Sequence, residues 1–155
     1  GALDATEFVS PYNDLAAGYH TVADYYYYPG WQEPGTTLET IFNKTAFDAL
    51  PEDLQEILYA GAEVMNQLLM DELTAKNNEA LRVLIEDHGV QLRKLPNDVL
   101  LELRRLSEEV VLELAQTDDT TAKVYESYKS FKDGVMNYHR IAEEAYINAR
   151  NLLDN

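Results

Sequence analysis

The sequence contains no cysteine. That excludes disulfides, thiol nucleophiles and cysteine-built zinc sites, and it leaves the compartment open, since many exported bacterial proteins also lack cysteine. Basic residues are scarce: 12 Lys and Arg stand against 28 Asp and Glu, a formal net charge of −16. A nucleic-acid or anionic-membrane binder needs clustered Lys and Arg to release counterions. No such cluster is present, so neither partner fits, and the acidity itself serves solubility. No apolar run approaches the ~18 residues of a membrane span, so a membrane-embedded chain is not expected. No signal-peptide pattern and no initiator Met open the chain. It begins on Gly1-Ala2-Leu3-Asp4, which reads as mid-domain sequence, and a fragment or processed chain is expected. A nucleophile elbow, a Gly-rich phosphate loop and a His-rich metal motif are all missing. The three histidines, His20, His88 and His139, are far apart in sequence and are expected on separate helices as solvated or capping residues.

What is present is strand chemistry at the front and helix chemistry behind it. On length alone, 155 residues suit one domain. Leu3–Val9 carries Thr, Phe and Val and predicts a short strand. Asn13 or Asp14 can cap a short helix over Leu15–Ala23. Tyr25–Tyr28 predicts a strand, Pro29-Gly30 a turn, and Thr36–Asn43 a further strand. Thr45–Leu50 reads as a short helical turn. Leu50-Pro51-Glu52-Asp53 is a strong helix start, with Pro in the first turn and acids at the positive end of the dipole. Apolar spacing then stays helical to His88-Gly89, a helix of about 57 Å. Val90–Leu95 alternates like a strand. Pro96-Asn97-Asp98 starts a helix to about Gln116, and Thr117-Asp118-Asp119 starts the last, to about Leu153.

That last helix carries an a/d seam. Val124, Tyr128, Phe131, Val135, Tyr138, Ala142, Ala145, Ala149 and Leu152 step alternately by four and three. Such a seam packs along its own domain or reaches over a second subunit, and its length and small Ala positions favour the second.

The candidate site lies in the opening stretch. Glu7 and Glu33 each sit near the end of a β-like run. Two converging carboxylates with exposed backbone carbonyls suit a hard cation, which could bridge this acidic chain to an anionic ligand. Two surface glutamates flanking loops are the plainer alternative. Tyr25–Tyr28 reads as a sheet with one buried and one half-exposed aromatic face, or as a wall of a ligand pocket. The Asn43-Lys44-Thr45 sequon pattern is attributed to chance.

Gly1-Ala2-Leu3-Asp4-Ala5-Thr6-Glu7-Phe8, followed by Tyr25–Tyr28-Pro29-Gly30-Trp31-Gln32-Glu33-Pro34-Gly35, resembles the extracytoplasmic solute-binding proteins of TRAP transporters, the DctP-type family. The branch that binds 2-oxo acids, lactate and related monocarboxylates with a metal ion is the most similar. Asn43-Lys44-Thr45-Ala46-Phe47-Asp48-Ala49-Leu50-Pro51 resembles the family's stretch before its long helix. The resemblance covers essentially the whole chain, most specifically its first fifty residues. It implies an α/β fold: the C-terminal part of a two-lobe periplasmic-binding-protein-like architecture, mostly helical with a few short strands, a long lobe-spanning helix and a long C-terminal helix. Residues 1–50 would be the strand-rich part of the ligand-binding lobe and hinge strand. Residues 51–95 would be the lobe-spanning helix and a short strand, and 96–155 the C-terminal helices, with a dimerisation helix at 118–153.

The resemblance further implies a metal site of Glu7, the carbonyl of Phe8, and Glu33, holding sodium or calcium in the intact receptor. Many members have Trp after the first glutamate; Phe8 departs from this, which a backbone carbonyl ligand tolerates. Phe8, Trp31 and Tyr28 would line the substrate. An arginine for the substrate carboxylate and a glutamine metal ligand would lie upstream of Gly1. The implied protein is no enzyme. It would be a periplasmic component that carries a small carboxylate, a 2-oxo or 2-hydroxy acid, to TRAP membrane subunits, and some members of the branch dimerise by exchanging a long C-terminal helix. Two other expectations stand beside it: a structural helical dimerisation fragment with no ligand bound, and, least favoured, a metal-dependent enzyme using Glu7 or Glu33 as base.

Overall fold

The computed structural model describes residues 2–35 and 39–152. The chain divides into two compact units, Gly1–Pro96 and Asn97–Asn155. The first is built on helix α3 (Glu52–Glu86), 35 residues long, or about 52 Å at 1.5 Å per residue. Pro51 stands at its N-cap, and the Pro51 carbonyl accepts from the Leu54 and Gln55 N–H groups. Glu52 and Asp53 place negative charge at the positive end of the dipole. At the far end, the Asp87 and His88 N–H groups both return to the Val83 carbonyl. Gly89 then takes the left-handed region at φ +71, which costs glycine little. The reversal lets the Val90 N–H bond the Leu84 carbonyl at 2.9 Å. Val90, Ala80 and Leu84 are the buried apolar residues among those described.

Strands β1 (Tyr25–Tyr28) and β2 (Gln91–Lys94) pair in parallel, with Tyr25 opposite Gln91 and Tyr28 opposite Lys94. The Gln91 N–H bonds the Asp24 carbonyl and the Leu95 N–H the Tyr28 carbonyl, each at 2.8 Å. Parallel strands require a long crossover, and α2 (Lys44–Asp48) with α3 lies within it. Asn43 caps α2 by accepting the Ala46 N–H at 3.0 Å.

Helix α1 (Pro11–Ala17) corrects the expected Leu15–Ala23. It starts earlier because Pro11 suits the first helical position, where its fixed φ is already helical and its missing N–H is no loss. Ser10 stands at the N-cap without a side-chain cap bond. The Tyr12 N–H is satisfied from α3 instead, by Asn77 Oδ1 at 3.0 Å. Beside it, Lys76 Nζ donates to the Tyr12 hydroxyl at 3.2 Å and lies 4.7 Å from the ring centre. Gly18, at φ +77, ends α1 and leads into a 3-10 turn over Tyr19–Thr21.

Two expected strands are not formed among the described residues. Leu3–Val9 is irregular, and so is 39–43; the remainder of the Thr36–Asn43 expectation, 36–38, lies outside the described residues. Among the described residues of the first fifty, β1 is the one strand. β-favouring side chains make a strand only where a ladder partner receives the backbone groups.

The second unit contains α4 (Asn97–Ala115), α5 (Asp119–Ile141) and α6 (Glu143–Asn151). Asp118 caps α5, its Oδ1 accepting the Thr120 and Thr121 N–H groups at 2.8 and 2.9 Å. The helix expected over 118–153 is long but not continuous. It breaks at Ala142 (φ −103, ψ −106), and residue 153 lies outside the described residues. No proline or glycine marks the break. His139 Nδ1 and Glu143 Oε2 span it at 2.8 Å. The seam is largely exposed: Val124, Tyr128, Phe131, Tyr138 and Leu152 show 57–74% of their surface. No described residue of this unit is fully buried. Among the described residues no helix is long and apolar enough to cross a membrane.

Candidate functional site

Glu7 and Phe8 lie in the irregular segment that leads into α1. The Phe8 ring packs edge-on against Tyr19, with centroids 5.5 Å apart. Glu7 comes close enough to Tyr26 of β1 for its charge to act on the phenol. Tyr26 is half-buried and donates to Asp14 Oδ2 at 2.5 Å. Burial, then this hydrogen bond, then the Asp14 charge, and last the Glu7 charge push the Tyr26 phenol well above its ordinary value. A bond from a hydroxyl to a carboxylate oxygen at this distance is a short one. Asp14 is itself buried. The Tyr26–Asp14 bond thus ties β1 to α1, with Glu7 near enough for its charge to be felt.

β1 ends at Tyr28, and the cis Tyr28–Pro29 bond begins the loop that carries Gly30, Trp31 and Glu33. A Cβ placed on Gly30 would lie 3.5 Å from the Glu33 carbonyl, so the loop doubles back on itself. Phe8, Trp31 and Tyr28 remain 49, 43 and 44% exposed, which leaves each ring accessible to a small ligand. Of the predicted residues, the structure therefore draws Glu7 and Phe8 to the α1–β1 surface and sets Tyr28, Trp31 and Glu33 in and beside the loop that follows β1.

The donor chemistry fits a hard cation in kind. Glu7 and Glu33 offer carboxylate oxygens and Phe8 a carbonyl, which accepts no hydrogen bond among the described residues. It does not fit in number. Calcium takes roughly six to eight oxygens, and among the described residues no three His, Cys, Asp or Glu side chains gather as a metal cluster. These residues could hold part of a coordination shell, with ligand oxygens, water or other chain supplying the rest.

Sequence reasoning missed the Tyr26–Asp14 bond. Asp14 looked like a helix cap and is a buried acceptor instead. The histidines are not all apart: the rings of His20 and His88 stack with centroids 3.9 Å apart and planes tilted by 32°. Nothing in the spacing foretold this, because the turn at Gly18 and the reversal at Gly89 bring the two rings together. The tyrosine run gave half a signal: Tyr26 is half-buried, while Tyr25, Tyr27 and Tyr28 are exposed.

Comparison with known proteins adds what geometry alone does not. The family model of the bacterial extracellular solute-binding proteins, family 7 (DctP), matches residues 1–118. The monocarboxylate 2-oxoacid-binding periplasmic protein of Nostoc sp. (strain PCC 7120) is 34% identical over 148 residues, covering 96% of this chain and 40% of its own length. The crystal structure of a TRAP transporter solute-binding protein from Bordetella bronchiseptica RB50 superposes with a TM-score of 0.91 at 29% identity, covering 99% of this chain and 45% of that one. It is described as a mixed-occupancy dimer, with copurified calcium and picolinate in one active site and an apo site in the other. The chain thus spans less than half the length of these two relatives. Both relatives extend their likeness past residue 118, where the family model stops, into α5 and α6. By sequence and by fold, this chain belongs to the DctP family of bacterial extracellular solute-binding proteins, family 7.

Proposed function

We propose that the chain is the C-terminal part of a periplasmic receptor that binds a small carboxylate, a 2-oxo or 2-hydroxy acid, through a bridging cation and delivers it to TRAP membrane subunits. No reaction is catalysed. The observation that carries this reading is the near-complete match of the chain to two relatives, one described as binding 2-oxoacids and one holding calcium and picolinate. Picolinate and a 2-oxo acid share a carboxylate with a second donor atom one carbon away, a pattern that chelates a hard cation. A chain with net charge −16 would repel a bare carboxylate, and a cation offsets that repulsion.

On this reading Glu7, the Phe8 carbonyl and Glu33 hold calcium or sodium, and Phe8, Trp31 and Tyr28 wall the ligand. The bond between Asp14 and Tyr26 keeps β1, and with it the loop, in register with α1. The other lobe supplies the remaining ligands. Titrating the intact receptor with pyruvate, lactate and a neutral sugar of similar size tests the substrate class. Binding of the acids alone is expected, and equal binding of the sugar would end the proposal.

A second reading concerns assembly. The apolar seam of α5 and α6 lies open in the single chain, and the Bordetella relative, which shares this region, is a dimer. We infer a homodimer through these helices. Light scattering of the intact receptor should give twice the chain mass, falling to one mass with Phe131→Asp; a monomeric wild type would rule it out.

A further inference from the structure

The first unit is poor in positive charge. Its basic side chains are Lys44, Lys76, Arg82, Arg93 and Lys94. The first three are taken up on their own helices by Asp48, Glu72 and Glu86. Arg93 donates to Gln91 Oε1, and its guanidinium carbon lies 5.8 Å from the ring centre of Tyr25. Lys94 is exposed and makes no side-chain hydrogen bond or ion pair among the described residues. Its place is set by the backbone. Lys94 closes β2 and stands opposite Tyr28, which closes β1. The Leu95 N–H that follows it bonds the Tyr28 carbonyl at 2.8 Å. Partners in a parallel ladder send their side chains to the same face, and residues two apart on a strand share that face. Lys94 therefore lies on the face of Tyr28 and Tyr26, the face bonded to α1 through Asp14. Arg93 lies on the other, with Tyr25 and Tyr27. Open α/β sheets with parallel strands take their ligands outside the carboxyl ends of those strands, here Tyr28 and Lys94.

We propose that Lys94 is a steering residue for the anionic ligand, an uncommitted ammonium at the carboxyl end of the sheet that draws a carboxylate toward Tyr28 and the loop behind it. The inference rests on the reading of the chain as part of a carboxylate receptor. A chain of net charge −16 slows the approach of any anion. Glu7 and Glu33 serve the bridging cation on that reading and do not attract the ligand themselves. Neighbouring strands lie about 4.8 Å apart, so the backbone of Lys94 is that close to Tyr28, inside the Debye length of about 8 Å at physiological salt. A lysine suits the task, being a strongly hydrated charge on a flexible stem. It acts on the encounter, and so on the rate of association and not on the rate of release.

Stopped-flow binding of pyruvate to the intact receptor tests this, with calcium and sodium held constant and choline chloride varied. At low salt Lys94→Met should slow association about two- to threefold. Its release rate should match the wild type, and the two association rates should converge at high salt. Lys94→Arg should associate like the wild type, and Lys94→Glu should be slower than Lys94→Met. The wild type gives a readout that needs no variant to fold: its association should slow as salt is added, whereas net repulsion alone would make it faster. A flat or rising rate would overturn the proposal. Wild-type association of Lys94→Met at low salt would also overturn it, and would leave Lys94 as a charge that guards a strand edge. So would faster release with unchanged association, the mark of a contact made only in the bound state. A wild type that does not bind pyruvate at all would instead overturn the carboxylate reading, and this inference with it.

Discussion

The backbone N–H of Tyr12 is capped by the side chain of Asn77, Oδ1 accepting at 3.0 Å from a residue 65 positions away. The cap that Ser10 leaves unmade is thus supplied across a tertiary contact, and α1 is docked on α3 by the same bond that satisfies its first turn. Asn77→Ala should cost on the order of 1 kcal/mol, the usual net worth of such a bond with some penalty for the stranded donor. Asn77→Asp, which keeps the acceptor, should cost less. Hydrogen exchange at the Tyr12 amide reads the effect locally: faster exchange in the alanine variant is expected, and unchanged exchange would mean that the bond holds nothing.

The core of the first unit is small, so its members carry unusual weight. Leu84 is 2% exposed and packs where Val90 returns to α3. Leu84→Ala should destabilise by about 2–5 kcal/mol, the range for such truncations. Equilibrium denaturation measures this, and a loss within the error of the measurement would show that the site collapses around the smaller side chain.

Alkaline pH should loosen the same region. The Tyr26 phenol is raised above its ordinary value of 10.0, first by burial and then by its bond to Asp14. The unfolded chain releases this proton near pH 10 while the folded chain keeps it, so the contribution is intact below about pH 10 and declines as pH rises beyond it. Tyr26→Phe should remove this part of the alkaline loss. A variant whose stability falls with pH as steeply as the wild type would place the cause elsewhere.

How much of this was legible depended on what punctuates the sequence. Pro51 with Glu52 and Asp53, and Gly89 with its required reversal, marked both ends of α3 correctly, because those residues act locally. Leu3–Val9 was misread because a strand is a relation between segments, and its side chains cannot say whether a partner is there. α1 starts before the Asn13 or Asp14 cap signal because Pro11 belongs to its first turn. The break at Ala142 has no residue signal at all. Glu7 and Glu33 were visible as carboxylates, but the joint role proposed for them rests on the family resemblance and not on spacing. Asp14, Tyr26, His20 and His88 became a group only once two glycine turns had folded the chain around Val90.

The carboxylates bear the most specific part of the functional reading. Glu7→Gln and Glu33→Gln in the intact receptor should each weaken binding of a 2-oxo acid by about tenfold or more, equivalent to about 1.4 kcal/mol or more, without a matching loss of thermal stability. A fall in stability that tracks the fall in affinity would indicate a structural role instead.

The proposed binding mode depends on the bridging cation. The decisive measurement is calorimetric titration of the intact receptor with pyruvate, first stripped with chelator and dialysed free of sodium, then with calcium or sodium restored. Binding should be abolished or weakened at least about tenfold in the stripped protein and recovered with one of the two ions. Equal affinity with and without the cation would contradict this mode.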